Sequence, residues 1–189
     1  MMNPVQQAIL DRRSTRGFDG AALTRDELQA LIEAALASPS AMNRQPWHFS
    51  FVTDRALLRE FSEEARAFFM KNASEAMRAR FQDPAYDFLM GAPLFVVVSY
   101  KPEEAHAFTG VDCGIAVQNL ALSATGMGLG SVIVGMPKDV LESEAGAAFR
   151  ERMGIPAGNA YAIGIAIGHN TVTKEAHVVG EGKYTIIAE

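Results

Sequence analysis

Three guanidinium groups and two hydroxyls fall within five residues, Arg12-Arg13-Ser14-Thr15-Arg16, just after a short apolar helix pattern. Arginine forks match phosphate oxygens bidentately and a serine hydroxyl adds a short donor, so the segment is suited to cradling an anion. A basic pentapeptide can equally be a solvated helix end.

A second chemistry-bearing stretch runs from Ser38 to Trp47, where Pro39 and Pro46 fix the backbone and Ser40, Asn43 and Gln45 supply small polar side chains. An amide presents a donor and an acceptor together, which suits the edge of a flavin or nucleobase ring. The same groups can also satisfy a loop's own backbone.

Other signals carry less. Gly126-Met127-Gly128-Leu129-Gly130 looks like a phosphate loop, but a helix precedes it and a strand follows, the reverse of a dinucleotide fingerprint. It reads as a helix C-cap and turn. His48, His106, His169 and His177 lack metal-ligand spacing, and the single Cys113 lies in an apolar helix, so no metal site is expected. Asp112 suits the first turn of that helix. No serine sits in a GxSxG context.

The elements that must position these groups follow from periodicity and caps. Asn3 and Pro4 open a helix ending near Asp11, and Thr24 with Glu27 forms a capping box for a helix carrying Leu28, Leu31, Ile32, Ala35 and Leu36. Trp47 to Phe51 alternates as a strand, a helix follows over 55–70, and the continuous apolar run LFVVVS predicts a strand covered on both faces. Further on come a helix over 109–125, a strand over 131–135, a charged helix over 144–153, a buried strand over 160–168 and a terminal strand KYTIIA over 183–188. Residues 71–87 give no clear pattern and could be a solvated helix and loop or a flap over a site. Without a linker or repeat, residues 1–189 read as a single α+β or α/β domain.

The chain has 49% hydrophobic residues and a net charge of −5. Acidic balance argues against nucleic acid as a partner. Cys113 to Pro137 contains no charged residue, yet its glycines and polar side chains argue for a buried helix and strand rather than a membrane span. The N-terminus shows no signal peptide, and one cysteine offers no disulfide framework, so a cytoplasmic location is expected.

Taken in order, RRSTRGF at 12–18, SPSAMNRQPWHF at 38–49, DCGIAVQNLALSATGMGLGSVIVG at 112–135 and IGIAIGH at 163–169 resemble the FMN-dependent nitroreductase family. The resemblance implies a central mixed, largely antiparallel sheet flanked by helices, in a homodimer with FMN at the subunit interface. It also implies a C-terminal strand exchanged between subunits, a role that KYTIIA fits. By motif position, Arg12 and Ser14, assisted by Arg13, hold the FMN phosphate, and Arg16 reaches the N1/O2 side of the ring. Pro39, Ser40, Ala41, Asn43 and Gln45 line the flavin of the other subunit. Val134 and Gly135 approach the ring through their backbones, and Lys174 is the C-terminal phosphate ligand. Lys71 and Asn72 are nominal matches for the flap residues that touch the pyrimidine.

The implied activity is ping-pong hydride transfer from NADH or NADPH through FMN to a small-molecule acceptor such as a nitroaromatic or quinone. A cofactor that carries the hydride needs no protein nucleophile, in keeping with the missing triad. The alternatives are a flavin-sequestering protein without turnover and a specialised relative that uses reduced FMN for flavin breakdown or dehalogenation.

Overall fold

The computed structural model describes residues 3–188. Four strands, β1 (Trp47–Val52), β2 (Leu94–Tyr100), β3 (Gly130–Val134) and β4 (Ala160–Gly168), form a sheet in the order β1-β2-β4-β3. Every pairing within it is antiparallel; the only parallel contact among the described residues is an isolated bridge between Ser14 and Ser131.

Burial on both faces explains the unbroken apolar run of β2. Phe95 and Val97 face a core built with the helix α3 (Arg55–Asn72), while Leu94 and Val96 face one built with α2 (Arg25–Leu36) and α5 (Thr109–Gly126). The α3 side is rich in aromatics, and Phe61 stacks on Phe95 at 6.1 Å. On β4 the isoleucines 163, 165 and 167 join the α2/α5 core, whereas the opposite side carries Gly164 and Ala166. Gly164 is required there, because a Cβ would lie 2.6 Å from the Phe95 ring and 2.5 Å from the Tyr161 hydroxyl.

The β2–β4 register shifts between Val98 and Ser99, so that Ala162 is the extra residue of a bulge. A bulge inverts the side-chain alternation beyond it. Tyr161 thereby turns from the isoleucine face to the α3 face and donates to the Val134 carbonyl at 2.6 Å.

Helix α2 has the capping box read from Thr24 and Glu27, and α1 (Pro4–Asp11) is capped by Asn3, whose Oδ1 accepts from Val5 N–H at 2.8 Å. The charge-free block forms α5 and β3, turned by Gly128 at φ +78°. The buried stripe of α5 is Cys113, Ala116, Val117, Leu120, Ala121 and Ala124, at heptad spacing. Its other face leaves Val111 and Ile115 exposed, and α1 buries none of its residues. No helix among the described residues is long and apolar enough to cross a membrane.

Three details differ from the periodicity. The charged helix over 144–153 is split into a 3-10 turn (Glu144–Gly146) and α6 (Ala147–Arg152), because Gly146 packs against the Val140 carbonyl where no Cβ fits. Residues 71–87 contain the end of α3, a single turn α4 (Glu75–Arg78) and a 3-10 turn (Ala79–Phe81). KYTIIA forms no strand among the described residues: Tyr184, Ile186 and Ile187 are exposed, since an extended segment needs a ladder partner and none of the described strands pairs with it.

Candidate flavin site

The basic segment leaves α1 in extended conformation, with Arg12 at φ −55° and ψ 128°. Thr15 N–H donates to the Ser131 carbonyl at 2.9 Å, laying the segment along β3. Gly130 permits this approach, because a Cβ there would meet Thr15 at 2.9 Å. Alternation along an extended segment sets Arg13 and Thr15 apart from Arg16, and they line different cavities; Arg12 and Ser14 line neither of these two.

Cavities lie on both sides of this segment. Arg16, Val134 and Gly135 line one of about 480 Å³ together with Arg80, Tyr86 and Met90. Three residues picked from separate motifs are thus brought together. Arg13 and Thr15 line a second cavity of about 280 Å³, which Lys174, Ser131 and Asn170 also face. Arg13 doubles as a helix terminator: its Nη1 donates to the carbonyls of Leu10 and Arg12, while its Nε is buried without a partner. Lys174 therefore shares a cavity with Arg13 and not with Arg16.

The loop after α2 is rigid and lies elsewhere. Met42, Asn43 and Gln45 have φ values of 53°, 54° and 48°, a left-handed backbone that only a tightly held segment keeps in non-glycine residues. Ser40 Oγ accepts from Gln45 N–H at 2.8 Å, Asp112 Oδ1 accepts from Ala41 N–H at 3.1 Å, and Asn119 Nδ2 donates to Ser38 Oγ at 2.9 Å. None of Pro39, Ser40, Ala41, Asn43 and Gln45 lines the Arg16 cavity; Gln45 borders a separate groove with Leu36 and Trp47. Pro39, Asn43 and Gln45 are exposed.

Asp112 thus does more than cap α5. Its second oxygen sits 3.4 Å from His106 Nε2 without a hydrogen bond, both groups being largely buried. Its charge adds to burial, the larger cause, in pushing the Cys113 thiol up to about 11. Burial likewise raises the Tyr161 hydroxyl well above the ordinary tyrosine range, so the donor to Val134 stays protonated.

Lys71 and Asn72 do not reach the cavity lining, and the Asn72 amide donates to the Phe68 carbonyl at 2.8 Å. Arg80, Tyr86, Asp87 and Met90 line it instead. Their only sequence signal was the scatter of aromatics at Phe81, Tyr86 and Phe88, which here form one cluster: Phe81 lies 5.2 Å from both Phe69 and Tyr86.

The model of the Nitroreductase family matches residues 9–169. The chain belongs to this family. A nitroreductase with bound FMN from Desulfitobacterium hafniense DCB-2 superposes with a TM-score of 0.91 at 32% identity, covering 100% of both chains. A nitroreductase with bound FMN from Bacteroides fragilis NCTC 9343 gives 0.90 at 28% identity, over 99% of this chain and 100% of that one. The NADPH-flavin oxidoreductase of Vibrio harveyi is 30% identical over 184 residues, 94% of this chain and 73% of the relative. The nitroreductase fold thus accounts for the α+β sheet, and the Arg16 cavity lies at the end of its β3 strand.

Proposed function

We propose that this nitroreductase binds FMN and is an NAD(P)H-dependent oxidoreductase, with residues 1–189 acting as one FMN-binding domain in the cytoplasm. The observation that carries the reading is the Arg16 cavity, where a cation, the β3 terminus and apolar walls meet. Its volume falls within the roughly 300–1,000 Å³ of small-molecule pockets. An Arg16 guanidinium that lines this cavity and forms no ion pair among the described residues suits a flat ring that takes up negative charge, and Ser14 and Arg12, two and four residues before it, are the proposed phosphate ligands. The residues therefore fit FMN.

When bound, FMN supplies hydride transfer. The chain's own groups set the conditions. Arg12 and Ser14 hold the phosphate, with Arg13 and Lys174 adding positive charge from the cavity they share. Arg16 favours negative charge at the N1/O2 edge, an electrostatic contribution that strengthens where water is excluded. Tyr161 fixes the Val134 carbonyl, so that Val134 and Gly135 present a rigid backbone edge. For a nitroaromatic acceptor the overall exchange is Ar–NO2 + NAD(P)H + H+ giving Ar–NO + NAD(P)+ + H2O; quinones accept the same electron pair.

A homodimer completes the site in this reading. Val111 and Ile115 on α5, the exposed α1, the held but exposed 39–45 loop and the unpaired KYTIIA segment all present surfaces that a second copy can cover. Pro39, Ser40, Ala41, Asn43 and Gln45 then line the neighbour's flavin, and KYTIIA pairs with the neighbour's sheet.

The test is anaerobic titration of the FMN-loaded protein with each nicotinamide. Bleaching of the flavin absorbance, restored by a nitroaromatic or quinone, is expected. A bound flavin that neither NADH nor NADPH bleaches would leave a sequestering protein.

A further inference from the structure

The cavity that holds Arg16 contains a second cation with no assigned task. Arg80 sits on the 3-10 turn Ala79–Phe81 and lines the cavity together with the β3 end. Neither Arg80 nor Arg16 forms an ion pair with a carboxylate among the described residues. The nearest candidate, Asp87, also lines the cavity, but its oxygens are engaged elsewhere. Its Oδ1 accepts from Ser62 Oγ and from Leu89 N–H, both at 2.8 Å, and Oδ2 accepts from Gly91 N–H at 2.7 Å. Two arginines against one such carboxylate leave the cavity positive.

The placement of Arg80 is built into the core. Phe81, the next residue, is fully buried and packs between Phe69 and Tyr86. The backbone that carries the guanidinium is thus pinned one residue away. Arg80 itself is exposed, but a backbone pinned in this way gives up less freedom on binding than a free loop. The surrounding walls, Tyr86, Phe88, Met90 and Ile133 among them, are aromatic or apolar.

Resting on the oxidoreductase reading, we infer that Arg80 is a specificity residue that selects flat aromatic electron acceptors bearing an anionic group, of which an aromatic carboxylate is the simplest. Arg16 is committed to the cofactor edge, and the guanidinium of Arg80 offers a fork of donors to a carboxylate. The shared chemistry, an anion beside a ring, also exists in the phosphates of the nicotinamide donor, and the experiment separates the two.

The experiment uses FMN-loaded full-length protein with 4-nitrobenzoate and its neutral counterpart 4-nitrobenzamide. Wild type is expected to favour the carboxylate in kcat/KM, and Arg80→Gln to lower the carboxylate-to-amide ratio about tenfold, the scale of one charge-assisted contact. Arg80→Lys should keep a ratio above that of Arg80→Gln. Calorimetric titration of the oxidised protein with benzoate and benzamide gives a readout free of turnover, and the same loss of discrimination is expected there. Retained flavin absorbance in each variant shows that the fold and cofactor site survive. A ratio within about twofold of wild type in Arg80→Gln overturns the proposal, as does an effect confined to the reaction with the nicotinamide. If wild type binds FMN but neither nicotinamide reduces it, the oxidoreductase reading itself fails, whereas benzoate discrimination still tests Arg80.

Discussion

The backbone N–H of Ala41 donates to the Asp112 carboxylate across 3.1 Å, tying the strained loop after α2 to the first turn of α5. Asp112 is 3% exposed, so no water replaces it easily. Asp112→Ala is expected to cost about 1–3 kcal/mol, the penalty for leaving a buried donor unpaired. Urea unfolding measures it, and FMN affinity should fall with it, because the loop is proposed to line a flavin.

Tyr161→Phe removes the donor to the Val134 carbonyl while keeping the ring in the aromatic core. A loss of about 1–3 kcal/mol is expected for the orphaned acceptor. Gly164→Ala reaches the same contact from the other side, since its Cβ intrudes on the Tyr161 hydroxyl and the Phe95 ring, both within 2.6 Å. Overpacking of this kind costs about 1–3 kcal/mol. Both variants should lower the thermal midpoint, and equality with wild type would remove Tyr161 from the account of how β3 is held.

Arg12→Ala is expected to weaken FMN at least tenfold, the scale of a lost charge-assisted pair, and more than Lys174→Ala does. The two differ because Lys174 lines the Arg13 cavity, away from the Arg16 cavity proposed for the flavin. Equal affinities, measured by fluorescence titration of FMN, would show that the cavity assignment does not govern the phosphate.

Glu27 accepts from the backbone N–H and hydroxyl of Thr24, with a smaller contribution from His169, and these hold its carboxyl below the ordinary value of 4.5. A folded pKa below the unfolded one adds stability that is present above about pH 4.5 and is lost as pH falls through the folded value. The urea midpoint should therefore drop more steeply with acidification in wild type than in Glu27→Gln.

Cys113, with its thiol pushed up to about 11 and a side chain closed off in α5, should resist aromatic disulfide reagents at about pH 8 in the folded protein. In urea the same thiol should react at once. Fast reaction in the native state would mean that α5 opens.

Local sequence determined the elements. The Thr24–Glu27 box, the Asn3–Pro4 start, the β2 run and the heptad stripe of α5 are signals that depend on neighbours within a few residues, and each is found where the spacing puts it. The family was legible for the same reason, since its motifs are contiguous. The site was legible only in part. Arg16, Val134 and Gly135 meet because β3 runs beside the basic segment, a relationship more than a hundred residues long in sequence. The division of Arg13 from Arg16, the bulge that turns Tyr161 towards Val134, and the anchoring of the Arg80 turn by Phe81 exist only once strands pair and cores close. KYTIIA shows the same limit from the opposite direction: β propensity can be written into six residues, but a strand needs a neighbour to bond with.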